Sequence, residues 1–347
     1  MKLKDRIKKA IICKHVTDYT INRLNNRTYV PRAGDVAIFR VLEIGKHKAI
    51  QGDTGKNRYI FPGDLIMATF GNRYASNQFE GYVPDGYQEE YEILGQGGVV
   101  GKLTSMHLKM QALGATRVKL VGYAMQKGRV VNTQYLTEEP VSFDPNRMRK
   151  HKIILSLGSS MDSGKTTSAA YLCRGLRNAG HQVGFIKLTG TVFSRDKHFV
   201  HDCGAHKVVD FSNLGFPSTY MYEMQELLDI FAGLSRKVEA IDPDYIVVEI
   251  ADGLLQRETS MLLHNPAFRS VVDHVLLSCG DSLSVQSGLE FLARVGLQPF
   301  AISGLINASP LMVEEVRQTV ALPVLGLEHL SDRRIVRRLR HAMAKIA

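Results

Sequence analysis

Ten residues constrain this chain more than any others: Gly158-Ser-Ser-Met-Asp-Ser-Gly164-Lys165-Thr166-Thr167, set between an apolar run at 153–157 and a helix opening, Ser168-Ala-Ala-Tyr-Leu-Cys. A glycine-rich turn in that position leaves backbone N–H groups free to wrap an oxyanion, and the helix start adds its partial positive charge. A strand, turn and helix in this order make a parallel sheet flanked by helices the expected fold. Ser160, Met161, Asp162, Ser163 and Gly164 are expected to line a phosphate site, with Lys165 reaching the β- and γ-phosphates. Thr166 is expected to offer a hydroxyl to Mg²⁺, and Thr167 to hold a further phosphate oxygen.

Past this loop, apolar runs at 183–188, 245–250, 272–278, 300–306 and 324–327 alternate with longer helical stretches, one of them over 221–234. Continuously apolar strands separated by helices form a parallel sheet covered on both faces. Residues 148–347 are therefore expected to be an α/β nucleotide-binding domain. The earlier half differs: short β-branched runs at 35–44, 58–61, 65–70, 116–124 and 129–133 are bounded by Gly, Pro, Asn and Asp. They predict a β-rich domain, barrel- or sandwich-like, over residues 1–147. A helix over 104–113 is expected to interrupt it, and Gly95-Gln-Gly-Gly98 to make a tight corner between strands. Glu138-Glu-Pro-Val-Ser-Phe-Asp-Pro, with two prolines and no periodicity, has the character of a linker.

Composition narrows the classes. With 44% hydrophobic and 22% charged residues among 347, the chain is globular, which excludes disorder as its main state. No run of about 18 apolar residues is present to span a bilayer, and the N-terminus lacks the apolar stretch of a secretory leader. A cytosolic protein without a membrane partner is expected. Cys13, Cys173, Cys203 and Cys279 form no C-x-x-C pair, so neither a zinc ribbon nor a disulfide framework is indicated. The net charge of +10 lies wholly in the first half: residues 1–150 hold 24 Lys and Arg against 14 Asp and Glu, and residues 151–347 hold 20 against 20. Such a half admits nucleic acid as a partner, although scattered charge also suits a plain basic, soluble domain.

The phosphate loop has the form G-x5-G-K-T, one residue longer than the commoner spacing. In that form, placed after the first strand, it resembles the dethiobiotin synthetase class of P-loop NTPases, and the similarity runs over residues 151–330. Phe185-Ile-Lys187-Leu-Thr-Gly-Thr191 is similar to the family's second strand, which ends in a lysine near the substrate. Val247-Val-Glu249-Ile-Ala-Asp252-Gly253 is similar to the family's acidic strand end, although Ile250 stands where the family has Gly. Gly304-Leu-Ile-Asn307 and Leu322-Pro-Val-Leu-Gly326 keep the order of the family's adenine-recognising Asn and its Pro-Leu-Leu-Gly segment. The molybdopterin-guanine-dinucleotide accessory proteins are similar in the loop as well. The resemblance implies ATP and Mg²⁺ as cofactors, base recognition by Asn307, and a homodimer as a candidate assembly.

Phosphoryl transfer needs charge neutralisation and alignment more than an exotic nucleophile. The expected catalytic groups are Lys165, Lys187 and Glu249. Thr166, Glu249 and an aspartate would hold the metal; Asp202 takes that place, with Asp196 and Asp252 as rivals. His198, His201 and His206 lack zinc spacing and read as surface or loop residues. Ser218 or Thr219 is expected to cap the helix that follows. Arg333-Arg-Ile-Val-Arg-Arg-Leu-Arg-His341 reads as a basic amphipathic helix with Ile335, Val336, Leu339 and Met343 as its apolar stripe. The expected function is ATP- and Mg²⁺-dependent phosphoryl transfer to a small acceptor, or its ligase-type activation, a carboxylate being one acceptor. A nucleotide-dependent switch acting on a protein partner and a polynucleotide kinase are the other two readings.

Overall fold

The computed structural model describes residues 6–23, 27–137 and 141–344. The chain divides into two compact units: Met1–Glu139 with Gly190–Arg195 and Phe211–Met221, and Pro140–Thr189 with Asp196–Asp210 and Tyr222–Ala347.

The first unit contains β1 (Ile7–Lys9), β2 (Thr20–Asn22), β3 (Val36–Glu43), β4 (Ala49–Gln51), β5 (Asn57–Tyr59), β6 (Leu65–Phe70), β7 (Phe79–Tyr82), β8 (Tyr91–Gly95), β9 (Val99–Met106), β10 (Thr116–Gln126) and β11 (Arg129–Val130). Pairing runs β6-β3-β10-β8-β9, and β9 returns to β6, which closes five strands into a barrel. Closure removes the open edges that such a sheet would otherwise present. The interior is aromatic: Phe39, Phe70, Tyr91 and Tyr123 are buried. Phe70 lies 5.4 Å from the rings of both Phe39 and Tyr91, edge-on. Residues 95–98 form the expected corner between β8 and β9. The helix expected over 104–113 does not form. Ser105 and Met106 instead pair with Glu80 and Phe79 of β7, and a single 3-10 turn, Leu108–Met110, follows. Cross-strand pairing outweighs the weak helical preference of that stretch.

Two segments from later in the chain belong to this unit. Val192 N–H donates to Pro217 O at 3.0 Å and Thr219 N–H to Gly190 O at 3.0 Å, so the two segments pair. Thr133 Oγ1 donates to Gly215 O at 2.6 Å, and Ser194 N–H to Gln51 Oε1 at 2.8 Å.

The second unit contains α1 (Pro145–Met148), β12 (Lys152–Gly158), α2 (Lys165–Asn178), β13 (Val183–Lys187), α3 (Arg195–Cys203), β14 (Lys207–Asp210), α4 (Met224–Glu239), β15 (Tyr245–Glu249), α5 (Arg257–His264), α6 (Pro266–Arg269), β16 (His274–Ser278), α7 (Ser282–Arg294), β17 (Pro299–Ser303), α8 (Pro310–Thr319), α9 (Leu327–Ser331) and α10 (Ile335–Ala344). Its six strands are all parallel, in the order β14-β13-β15-β12-β16-β17. The two-residue period of a strand splits each apolar run between faces. Ile154, Phe185, Val247, Leu276 and Ala301 pack with Ala169, Leu172 and Leu176 of α2 and with Leu330, Ile335 and Leu339. The alternate residues Leu155, Ile186, Val248, Leu277 and Ile302 are fully buried, facing the other way. Gly184 of β13 lets Val238 of α4 approach that side: a Cβ there would lie 2.1 Å from a Val238 methyl.

Two expectations need correction. Residues 324–327 make only one parallel bridge, Val324 to Ile302, because Pro323 has no N–H to extend the ladder and α9 begins at Leu327. Neither Ser218 nor Thr219 caps the helix after it. α4 starts at Met224, and Glu223 with Glu226 forms a reciprocal capping box. Thr219 Oγ1 instead accepts from Gly190 N–H at 2.8 Å. The basic helix is present as α10, with Ile335, Val336 and Leu339 buried; the side chain of Met343 lies outside the described residues, as does part of the linker, 138–140. Among the described residues no helix is long and apolar enough to cross a membrane.

Candidate nucleotide site

The loop between β12 and α2 is shaped by what its backbone must do. Asp162 and Gly164 have left-handed φ of 62° and 93°, separated by one residue. Alternating handedness turns neighbouring N–H groups toward one point, the geometry of an anion cradle at a helix start. Ser159 N–H donates to Ser278 O at 2.9 Å, and Ser163 O accepts from Leu305 N–H at 3.0 Å, so both ends of the loop are tied to neighbouring strand ends. Ser163 Oγ is buried without a hydrogen-bond partner.

Lys165, the first residue of α2, is buried, and its Nζ donates to Ser160 O at 3.1 Å. Burial pushes its ammonium below the usual lysine range, with the Glu249 and Asp252 carboxylates offsetting part of that. Glu249 ends β15, the strand beside β12. It is 1% exposed, and its Oε1 accepts from Thr166 Oγ1 at 3.0 Å. Its Oε2 is buried with no partner. Lys187 ends β13, next to β15, with Nζ 3.6 Å from Glu249 Oε1 and paired with Asp196 of α3. Burial alone would lower its ammonium, but Glu249 and Asp196 hold it well above the usual lysine range. Behind this pair, Lys197 Nζ lies 3.0 Å from Asp210 Oδ2. The parallel register sets Lys187 opposite both Glu249 and Asp210.

Lys165, Thr166, Lys187 and Glu249 thus gather at the carboxyl edge of the sheet, where open α/β folds take ligands. Asp252, with φ of 62°, lies in the loop three residues past the end of β15; a Cβ on its neighbour Gly253 would lie 2.6 Å from Ser159 O. Asp202 does not join them. It is largely exposed on α3, 3.8 Å from His201 Nδ1, whereas Asp196 pairs with Lys187. Six residues along a helix is about one and two-thirds turns, which places the two aspartates on different sides of α3. Thr189 Oγ1 accepts from Ala251 N–H at 2.8 Å and so joins the ends of β13 and β15. Asn307 sits in a 3-10 turn after β17, its Nδ2 donating to Gly304 O at 3.3 Å and Leu325 O at 3.2 Å. His206 Nδ1 accepts from Val183 N–H at 3.1 Å. The four cysteines are buried and free.

Gly304 is a site residue that the sequence pattern did not single out. A Cβ there would lie 2.4 Å from Ser163 O and 2.7 Å from Cys279 N, so only glycine lets the β17 turn meet the loop. Its signal is a glycine inside the apolar run 300–306.

A phosphate cradle after the first strand, a lysine at the helix start and a carboxylate at the end of the adjacent strand define a P-loop nucleotide-binding fold, preceded by a β-rich unit. The sequence matches no protein-family model and no curated protein. Solved structures that resemble the chain include the signal recognition particle receptor FtsY of Elizabethkingia anophelis in complex with GDP, at 16% identity and TM-score 0.39, over 52% of this chain and 59% of that one. Another is the hydrogenase maturation factor HypB of Archaeoglobus fulgidus, at 13% identity and TM-score 0.35, over 58% of this chain and 91% of that one. A third is a DUF1611 family protein of Anabaena variabilis, at 11% identity and TM-score 0.40, over 62% and 66%. Likenesses this low carry no assignment of activity, substrate or partner.

Proposed function

We propose that the second unit binds ATP with Mg²⁺ and transfers its γ-phosphoryl group to a small acceptor, in the manner of the dethiobiotin synthetase class. The observation that carries this reading is Glu249: a carboxylate 1% exposed, bonded to the Thr166 hydroxyl through one oxygen and without a partner on the other. A buried, half-satisfied carboxylate is costly unless a cation completes it. Among the described residues no group of three or more His, Cys, Asp or Glu could enclose a metal. That suits Mg²⁺, which is commonly held by one or two protein groups and by the phosphates of its nucleotide. Thr166 and Glu249 would hold it, and bound there it neutralises charge on the β- and γ-phosphates.

Each lysine then has a separate task. Lys165, already desolvated and facing the loop, supplies its ammonium to the β- and γ-phosphate oxygens. Lys187, held between Glu249 and Asp196, stands on the far side of the carboxylate from Lys165 and orients an anionic acceptor. The acceptor oxygen bonds to the γ-phosphorus as the bond to the β-phosphate oxygen breaks, leaving ADP. Asn307 has both amide hydrogens directed at backbone carbonyls, so its Oδ1 is left to accept from a base amino group, which adenine N6 supplies.

The test is calorimetric titration with a non-hydrolysable ATP analogue and Mg²⁺, beside the GTP analogue and a Lys165→Ala variant. Binding of the ATP analogue is expected, weakened about 10- to 100-fold in the variant, the scale of one or two charge-assisted hydrogen bonds. Absence of binding by either analogue, or binding indifferent to Lys165, would overturn the reading. Acceptor-dependent release of ADP from ATP then separates a transferase from a nucleotide switch.

A further inference from the structure

One face of the barrel unit presents cations and an open aromatic ring together. Over residues 18–35 and 121–137 the charged residues are Arg23, Arg27, Arg32, Lys127 and Arg129 against Asp18 and Asp35. All five cations are exposed, and among the described residues none of them stands in an ion pair. Asp35 is 2% exposed and accepts from Tyr29 Oη at 2.8 Å, Arg32 N–H at 2.8 Å and Asn132 Nδ2 at 3.0 Å, so it presents little charge to solvent. The sheet gathers the cations. Asn22 of β2, next to Arg23, pairs with Tyr123 of β10, and Arg129 of β11 pairs with Gln126 of β10. Lys127 follows β10 directly, four residues past Tyr123, or about 13 Å along the strand. A cavity of about 470 Å³ opens on the same face: its lining includes Asn22 and Gly128 from the two ends of this stretch, with the exposed Arg32, Arg129 and Tyr135.

Tyr135 is 81% exposed, so its ring is open to solvent. Its backbone is nonetheless fixed. It lies in the 3-10 turn Thr133–Leu136, where its N–H donates to Asn132 O at 3.1 Å, and Asn132 Oδ1 accepts from Gln134 N–H at 3.0 Å. Asn132 Nδ2 ties that turn to Ala33 O at 2.9 Å as well as to Asp35. A ring held out on a fixed turn loses little freedom when a second ring stacks on it. Two features then select the ligand. Exposed cations spread along such a length, without carboxylates bonded to them, match a chain of phosphates better than a single anion. An open aromatic ring among them is a platform for an unpaired base, which a duplex keeps inside its own stack.

We propose that this face of the barrel unit binds single-stranded nucleic acid, with its phosphates on Arg23, Arg32, Lys127 and Arg129 and a base stacked on Tyr135 at the cavity mouth. The site is composed of first-unit residues alone and does not rest on the function proposed for the nucleotide loop.

The experiment is fluorescence anisotropy of labelled single strands of about 12 nucleotides, one DNA and one RNA, titrated with the full chain over a range of salt. An abasic strand of the same length, which keeps the phosphates and lacks the bases, and a duplex serve as comparators. Saturable binding of at least one single strand is expected, weakening as salt rises, with the abasic strand and the duplex each weaker by about fivefold or more. Tyr135→Ala, at an exposed position, leaves the barrel folded and should weaken binding by about fivefold or more. Arg129→Ala should weaken it too and lower the slope of log affinity against log salt by about 0.7. Arg294→Ala, at an exposed cation of the second unit, and Lys165→Ala should leave this binding unchanged. Failure of both single strands to saturate by about 100 μM, equal or tighter binding of the abasic strand or the duplex, indifference to Tyr135→Ala, or loss in Lys165→Ala would overturn the proposal.

Discussion

His47 makes the stability of the barrel unit depend on pH in a calculable way. Its ring is buried, its Nε2–H donates to Leu94 O at 3.2 Å, and the Arg73 guanidinium donates to the same carbonyl. Burial, reinforced by the neighbouring Arg73 charge, pushes its pKa down from 6.5 to about 3. Between those two values the unfolded chain binds a proton that the folded chain does not, so folding stability rises with pH there, by about 1.4 kcal/mol per pH unit. The contribution is complete above the unfolded value and is lost as pH falls toward 3. From pH 7 to pH 5 the expected loss is about 2 kcal/mol, roughly a 30-fold rise in opening, and about 5 kcal/mol is lost by the bottom of the window. Hydrogen–deuterium exchange of the β3, β6 and β10 amides reads the opening of this unit separately from the rest of the chain. His47→Gln keeps an amide donor and removes the titration. The wild-type chain should lose about 2 kcal/mol more than His47→Gln between pH 7 and pH 5. Equal losses in the two proteins would refute the reasoning.

Gly158→Ala tests the loop without changing any charge: the new Cβ would lie 2.4 Å from Ser163 Oγ and 3.2 Å from Lys165 Nζ. Triphosphate affinity should fall about tenfold or more, at a stability cost of about 1–3 kcal/mol read by denaturant melts. Asp196→Asn removes one of the two carboxylates that pair with Lys187 and should lower single-turnover transfer about tenfold, whereas Asp202→Asn, on the exposed side of α3, should leave the rate unchanged.

The parallel sheet and its loop were legible because each rests on local signals. Uninterrupted apolar runs of strand length can be buried only on both faces, and Gly158 to Thr167 carry their own turn and helix start. The lysine and the carboxylate at the ends of β13 and β15 could be marked for the same reason: a charge that terminates an apolar strand stands at the sheet edge. Where the pattern misled, a distant partner decided. Ser105 and Met106 extend β9 because β7 lies beside them, not because of their neighbours in sequence.

What sequence alone determined is the chemistry available and the strand-to-helix rhythm of the second half. Only the tertiary structure decided the order of the strands, and hence that β15 lies between β12 and β13 and brings Glu249 within reach of both Thr166 and Lys187. It also paired Asp196 with Lys187 and left Asp202 exposed, placed Gly304 against Ser163, and joined Gly190–Arg195 and Phe211–Met221 to the barrel unit. Spacing along the chain sets which face a residue takes within one element, but which elements become neighbours depends on burying every apolar face at once, a condition no single segment contains.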